Sequence, residues 1–167
     1  MAAADRLPRR IRLSVVRIDA GQHEISLRQS GQMQSKPMQI SPDIANGRVR
    51  GTALTPTHPA GLLSFDTTVA VGTIEENAVM PLMSAVRWRD SLGITFPVIA
   101  SGSGIVEPWS LRLLGANSTT VPAGHFDTWQ VEMRTSRTRL LVHVTRAAPY
   151  RVMSMINGTA FEMQLVP

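Results

Sequence analysis

Apolar and polar residues alternate one for one along Ile11-Arg-Leu-Ser-Val15 and again along Glu24-Ile-Ser-Leu-Arg28. That period of two is the strongest constraint in the chain, because it places every apolar side chain of a run on one face of a strand and none on a helix face. Gly21, Gly31, Gly47, Gly61, Gly72, Gly93, Gly102, Gly104, Gly115, Gly124 and Gly158 divide the runs at short intervals. Short alternating runs separated by turn residues are the pattern of sandwiches and barrels. Strands are predicted at 11–19, 23–30, 33–40, 47–55, 62–72, 94–100, 105–114, 125–134, 139–146, 150–156 and 159–166. The expected fold class is all-β, an antiparallel β-sandwich or open β-barrel of about ten strands with one short helix. A length of 167 residues suits one domain. Residues 1–10 read as a flexible N-terminal segment and 11–167 as a single antiparallel β domain.

One stretch breaks the alternation. Glu75-Glu-Asn-Ala-Val-Met-Pro-Leu-Met-Ser-Ala-Val-Arg-Trp88 spaces Met, Leu and Ala as a helix does, with acidic residues at its start and Arg87 near its end. Both charges complement a helix dipole. A helix over 78–86 follows, with Pro81 tolerated only in its first turn.

The last forty or so residues fix a register. In Val121-Pro-Ala-Gly124 the proline second and glycine fourth mark a turn. If Thr135–Thr138 turns the next hairpin, Arg134 opposes Arg139, Met133 opposes Leu140, Val131 opposes Val142 and Trp129 opposes Val144. Those last six make one apolar face. The reverse face carries Thr128, Gln130, Glu132, Arg134, Arg139, His143 and Thr145, which the alternation assigns to solvent. Asn157-Gly158 predicts a two-residue turn with Ile156 opposite Thr159. Ser154–Phe161, Val152–Met163 and Tyr150–Leu165 then share an apolar face. Met153 and Met155 fall on the other face, where they suggest a second cover or a ligand groove.

Residues 75–167 resemble a known family. Val121-Pro-Ala-Gly-His-Phe-Asp-Thr-Trp-Gln-Val-Glu132 is similar to a turn-and-strand segment of the bacterial domain-of-unknown-function family DUF 3108. Met80-Pro-Leu-Met83 resembles its short helix, and Leu92-Gly-Ile-Thr-Phe-Pro-Val98 and Leu111-Arg-Leu-Leu-Gly115 resemble strands that follow. Ala148-Pro-Tyr-Arg-Val152 and Gly158-Thr-Ala-Phe-Glu-Met-Gln-Leu165 resemble its closing strands. Asn117-Ser-Thr-Thr120 departs from the acidic run found there in members of the family. The resemblance implies an all-β bacterial protein of the periplasm or cell envelope with no established reaction. The motifs are a turn, core aromatics and a hairpin, and they carry no chemistry.

Composition removes several function classes. With no cysteine, the chain has no disulfide, no thiol nucleophile and no thiolate metal site. The net charge of +5 is nearly all arginine, with Lys36 the only lysine, and the arginines are scattered from Arg6 to Arg151. Aromatics make up only 5%. A scattered charge without a stacking platform predicts no nucleic-acid partner. No run approaches the ~20 apolar residues of a membrane helix. The opening ten residues lack the apolar core of a signal peptide. The chain therefore reads as cytoplasmic, or as the mature or C-terminal part of a longer envelope protein.

Catalytic and metal candidates are weak. His125 and Asp127 share a strand face, but the register keeps His143 away from them, so no metal and no cofactor are expected. Gly102-Ser103-Gly104 reads as a turn rather than a nucleophile elbow. Glu75 and Glu76 read as dipole partners, and His58 as a loop residue. The nine methionines are read first as core filling, then as the lining of an adaptable apolar pocket. The expected function is a non-enzymatic cell-envelope β domain that binds an apolar small molecule or a protein partner. Its candidate ligand residues are Trp109, Trp129, Tyr150, Met163 and Met83, between the helix and the last sheet. The alternatives are a hydrolase with an unlocated site and a purely structural C-terminal domain of a longer protein. Oligomeric state is left open.

Overall fold

The computed structural model describes residues 11–14, 24–26, 28–33, 36–56, 61–158 and 161–166. His58 and the N-terminal segment 1–10 lie outside the described residues. The fold is all-β with one short helix. The chain divides into two compact units. One holds residues up to Val71 together with Ala100–Ile105, and the other holds Gly72–Ile99 and Val106–Pro167.

The first unit is an antiparallel sheet. Strands β1 (Ile11–Ser14), β3 (Arg28–Met33), β4 (Lys36–Ala45), β5 (Arg48–Leu54) and β6 (Leu63–Thr68) lie in that order, and β2 (Glu24–Ser26) also pairs with β4. The predicted strand at 23–30 is thus two, β2 and the start of β3, and the one at 33–40 extends to Ala45. Asn46 and Gly47 join β4 to β5 with φ of 50° and 71°. Positive φ at both central positions is the geometry of a type I′ turn, whose twist matches that of the strands. Met38, Ile40 and Ala53 form the buried cluster of this unit, with Phe65 against it. Gly104, at φ 70°, lies so close to Phe65 that a Cβ would stand 2.7 Å from that ring's Cγ. On the surface Arg48 Nη2 donates to Asp66 Oδ2 at 2.8 Å, and Arg50 Nε reaches the same oxygen at 3.2 Å.

The second unit is a curled seven-stranded sheet. Its order is β13 (Phe161–Gln164), β12 (Val152–Asn157), β11 (Arg139–Thr145), β10 (Gly124–Arg134), β9 (Ile105–Val121), β8 (Gly93–Ala100) and β7 (Ile74–Glu75). β13 with β12, β12 with β11, β11 with β10 and β10 with β9 pair antiparallel, whereas β7 pairs with β8 in parallel, with Ile74 facing Val98. β10 and β11 pair in the expected register, from Arg134–Arg139 through Val131–Val142 to Trp129–Val144. Val131, Met133, Leu140, Val142 and Val144 are buried in one core cluster with Leu111, Leu113, Val98, Val79, Met83 and Trp88.

The strands that flank this hairpin each carry one extra residue. On β9, Gly115 opposes Gln130 and Leu113 opposes Val131, so Leu114 bulges. On β12, Ser154 opposes His143 and Val152 opposes Val144, so Met153 bulges. Gln130 and His143 face each other, so both bulges lie at one level of the sheet. Bulges bend a strand and sharpen its twist, which accounts for a curl at that level.

Helix α1 (Val79–Ala85) follows a 3-10 turn at Glu76–Ala78 and replaces the expected 78–86. Pro81 is its third residue, inside the first turn, where its missing N–H leaves no gap in the ladder. Glu75 starts the element by accepting from Asn77 N and Asn77 Nδ2, both at 2.8 Å. Val79 and Met83, four residues apart, form the buried stripe. Trp88 closes the far end by donating from Nε1 to Met83 O at 3.0 Å.

The last hairpin departs from expectation. Asn157 pairs with Phe161 and Met155 with Met163. The predicted pairs Ser154–Phe161 and Val152–Met163 are replaced by Ser154–Gln164 and Met155–Met163. The pairing is shifted by three residues from the expected one, and an odd shift reverses which face of β13 meets the apolar side of β12.

Two substitutions test this account by denaturant unfolding. Leu111→Ala, at a site 1% exposed in the core, should cost about 2–5 kcal/mol. Gly104→Ala should cost more than Gly61→Ala. Both glycines have positive φ, but nothing lies within 4 Å of a Cβ at Gly61.

Candidate functional site

A groove of about 200 Å³ opens in the second unit between α1 and the β12–β13 hairpin. Met80 of α1, Val152, Met153 and Met155 of β12, and Met163 and Leu165 from the chain's end line it, with Ser154 and Gln164. Strict alternation would put Met153 and Val152 on opposite faces. A bulge at Met153 breaks it, and Val152, Met153 and Met155 all line the same groove. Met153 is fully buried, whereas Met163 is 50% exposed and forms the open rim. The lining is flexible and polarisable, since thioether chains adjust to irregular apolar shapes.

Of the five residues expected to touch a ligand, Met163 lines this groove. Met83 lies fully buried in the core cluster. Trp109, Trp129 and Tyr150 pack as partly buried residues against that cluster rather than on the groove. Trp109 Nε1 donates to Glu107 at 2.8 Å, which satisfies its polar end. The Glu107 carboxyl is held below the usual carboxylate range, chiefly by the Ser136 hydroxyl and against the effect of burial. Trp129 lines a separate cleft with His125, Phe126, Asp127, Thr145, Arg146 and Ala147. There the Arg146 guanidinium sits 4.6 Å from the indole centroid and occupies the ring face. Met80, Val152 and Leu165 line the groove and were not among the expected ligand contacts. The alternation did flag Met153 and Met155.

The reverse face of β10–β11 is not the solvated surface that alternation implies. Thr128, Glu132, His143 and Ser154 are all buried on it. His143 Nδ1 and Ser154 Oγ are 2.8 Å apart in a hydrogen bond, and Gln130 Nε2 lies 3.4 Å from His143 Nε2. Which ring nitrogen donates depends on the tautomer of His143, and in either case both ring nitrogens have a partner within hydrogen-bond distance. Burial pushes the His143 pKa down, opposed by the nearby Glu162 carboxylate.

Among the described residues the histidines and acids do not gather elsewhere. His125 Nδ1 pairs with Thr120 Oγ1 at 2.9 Å. Among the described residues no three His, Asp or Glu side chains are placed to hold a metal ion. Among the same residues no helix is long and apolar enough to cross a membrane. Comparison with known proteins finds no matching family model, no matching curated protein and no matching solved structure.

The buried polar line makes stability depend on pH with a definite sign. A histidine whose folded pKa is depressed contributes fully above its unfolded value of about 6.5 and loses that contribution as pH falls toward the folded value. Thermal melts should therefore weaken below about pH 6.5, and His143→Gln should flatten that part of the profile. Ser154→Ala, which leaves the buried ring nitrogen without its hydrogen-bond partner, should cost about 1–3 kcal/mol.

Proposed function

We propose that the second unit is a non-enzymatic binding module of the bacterial cell envelope, and that the methionine groove takes an apolar ligand. The observation that carries this reading is the lining itself. Four thioethers, Met80, Met153, Met155 and Met163, converge with Val152 and Leu165 on one open groove. A groove of about 200 Å³ is smaller than the roughly 300–1,000 Å³ of sites that enclose a whole drug-sized ligand. It suits the end of an acyl chain or one apolar side chain of a partner protein. The envelope placement is drawn from the resemblance of residues 75–167 to DUF 3108.

Medium-chain fatty acids and an environment-sensitive apolar dye test the reading. Saturating ligand should raise the melting temperature by mass action. Met163→Asp puts a charge on the half-exposed rim and should abolish that rise while leaving the ligand-free melt within about 0.5 kcal/mol. No melting shift and no dye response would defeat the proposal and leave a purely structural domain.

A further inference from the structure

Three arginines from three neighbouring strands surround one carboxylate on the reverse face of the second unit's sheet. Glu132, 2% exposed, lies at the centre. Its Oε1 accepts from Arg134 Nε at 2.8 Å and from Arg112 Nη2 at 3.3 Å. Arg139 Nε meets Oε2 as an ion pair without the angle of a hydrogen bond. The three guanidinium side chains remain 61%, 56% and 66% exposed for Arg112, Arg134 and Arg139. Three positive charges against one negative leave two uncompensated.

We infer that Arg112, Arg134 and Arg139, held in place by Glu132, form a binding site for a phosphate group. Neutralising Glu132 requires one arginine, and the others add a cost. Arg134 and Arg139 stand directly opposite each other across β10 and β11, where like charges repel. Arg112 faces Glu132 from β9 and lies diagonal to Arg134, so the three charges form a triangle rather than a row. A tetrahedral oxyanion offers three oxygens to such a triangle, whereas a planar carboxylate offers two. Arg134 and Arg139 use only Nε on the carboxylate, which leaves their terminal NH2 groups for a second acceptor. The shared carboxylate orients all three side chains before any ligand arrives and so lowers the ordering cost of binding. The site lies on the face opposite the core cluster and is independent of the methionine groove.

The test titrates the full chain with pyrophosphate, and separately with phosphatidylcholine vesicles with and without phosphatidic acid. Pyrophosphate should move the Nε–H resonances of Arg134 and Arg139 and raise the melting temperature. Arg112→Gln and Arg139→Gln should each weaken binding about tenfold or more, a loss of ~1.4 kcal/mol. Arg151→Gln removes the same charge from an exposed arginine outside the cluster and should leave binding unchanged. Tighter binding to phosphatidic acid vesicles than to pyrophosphate assigns the phosphate to a lipid headgroup, and the reverse assigns it to a free phosphate ester. Arg112 is the most loosely held of the hydrogen-bonded pair, so its variant keeps the test valid if Arg139→Gln folds poorly. No response to either phosphate source overturns the inference. So does an equal weakening by Arg151→Gln, which would mean diffuse attraction to the net charge.

Discussion

Everything in the second unit depends on the pairing of β10 with β11. Val131 against Val142 and Met133 against Leu140 form the floor on which α1, β8 and β9 lay their apolar side chains. The same register fixes the reverse face, because a strand that points Val131 inward must point Gln130 and Glu132 the other way. A slip by one residue would expose the floor and bury Arg134 and Arg139. The buried valines and the arginine cluster are thus two results of one alignment.

That alignment was legible because it lies between two clear turns and because Trp129, Val131 and Met133 alternate with Thr128, Gln130, Glu132 and Arg134 along β10. The helix was legible for the opposite reason, as the one place where the alternation fails and the dipole charges agree. The last hairpin was not. Asn157-Gly158 carries the dipeptide of a type I′ turn, yet that turn is found at Asn46-Gly47, where both φ values are positive. At the later site Asn157 stays in the strand opposite Phe161. A dipeptide states what a turn permits, whereas the partner strand decides the register.

Bulges were the second gap. No local preference distinguishes Leu114 or Met153 from its neighbours, since each is apolar in an apolar strand. The bulge in β12 falls at Met153, a residue that lines the groove. The buried polar line was hidden for a related reason. Alternation reports which side chains share a face, but not whether that face is covered. Thr128 and His143 lie on the outer face as expected, Ser154 joins them against expectation, and all three are enclosed; Thr128 bonds to Thr119 and Asn117, and His143 to Ser154, which makes that burial tolerable.

The two bulges have a geometric consequence beyond the side chains they re-aim. At the level of Gln130 and His143 the strands on either side of the central pair each contain one residue more than that pair does. The margins there are longer than the middle. A ribbon with surplus length along both margins cannot lie flat, just as cloth gathered at its centre line cannot. The curvature of this sheet is therefore written into the backbone as excess length, before any side chain packs against it.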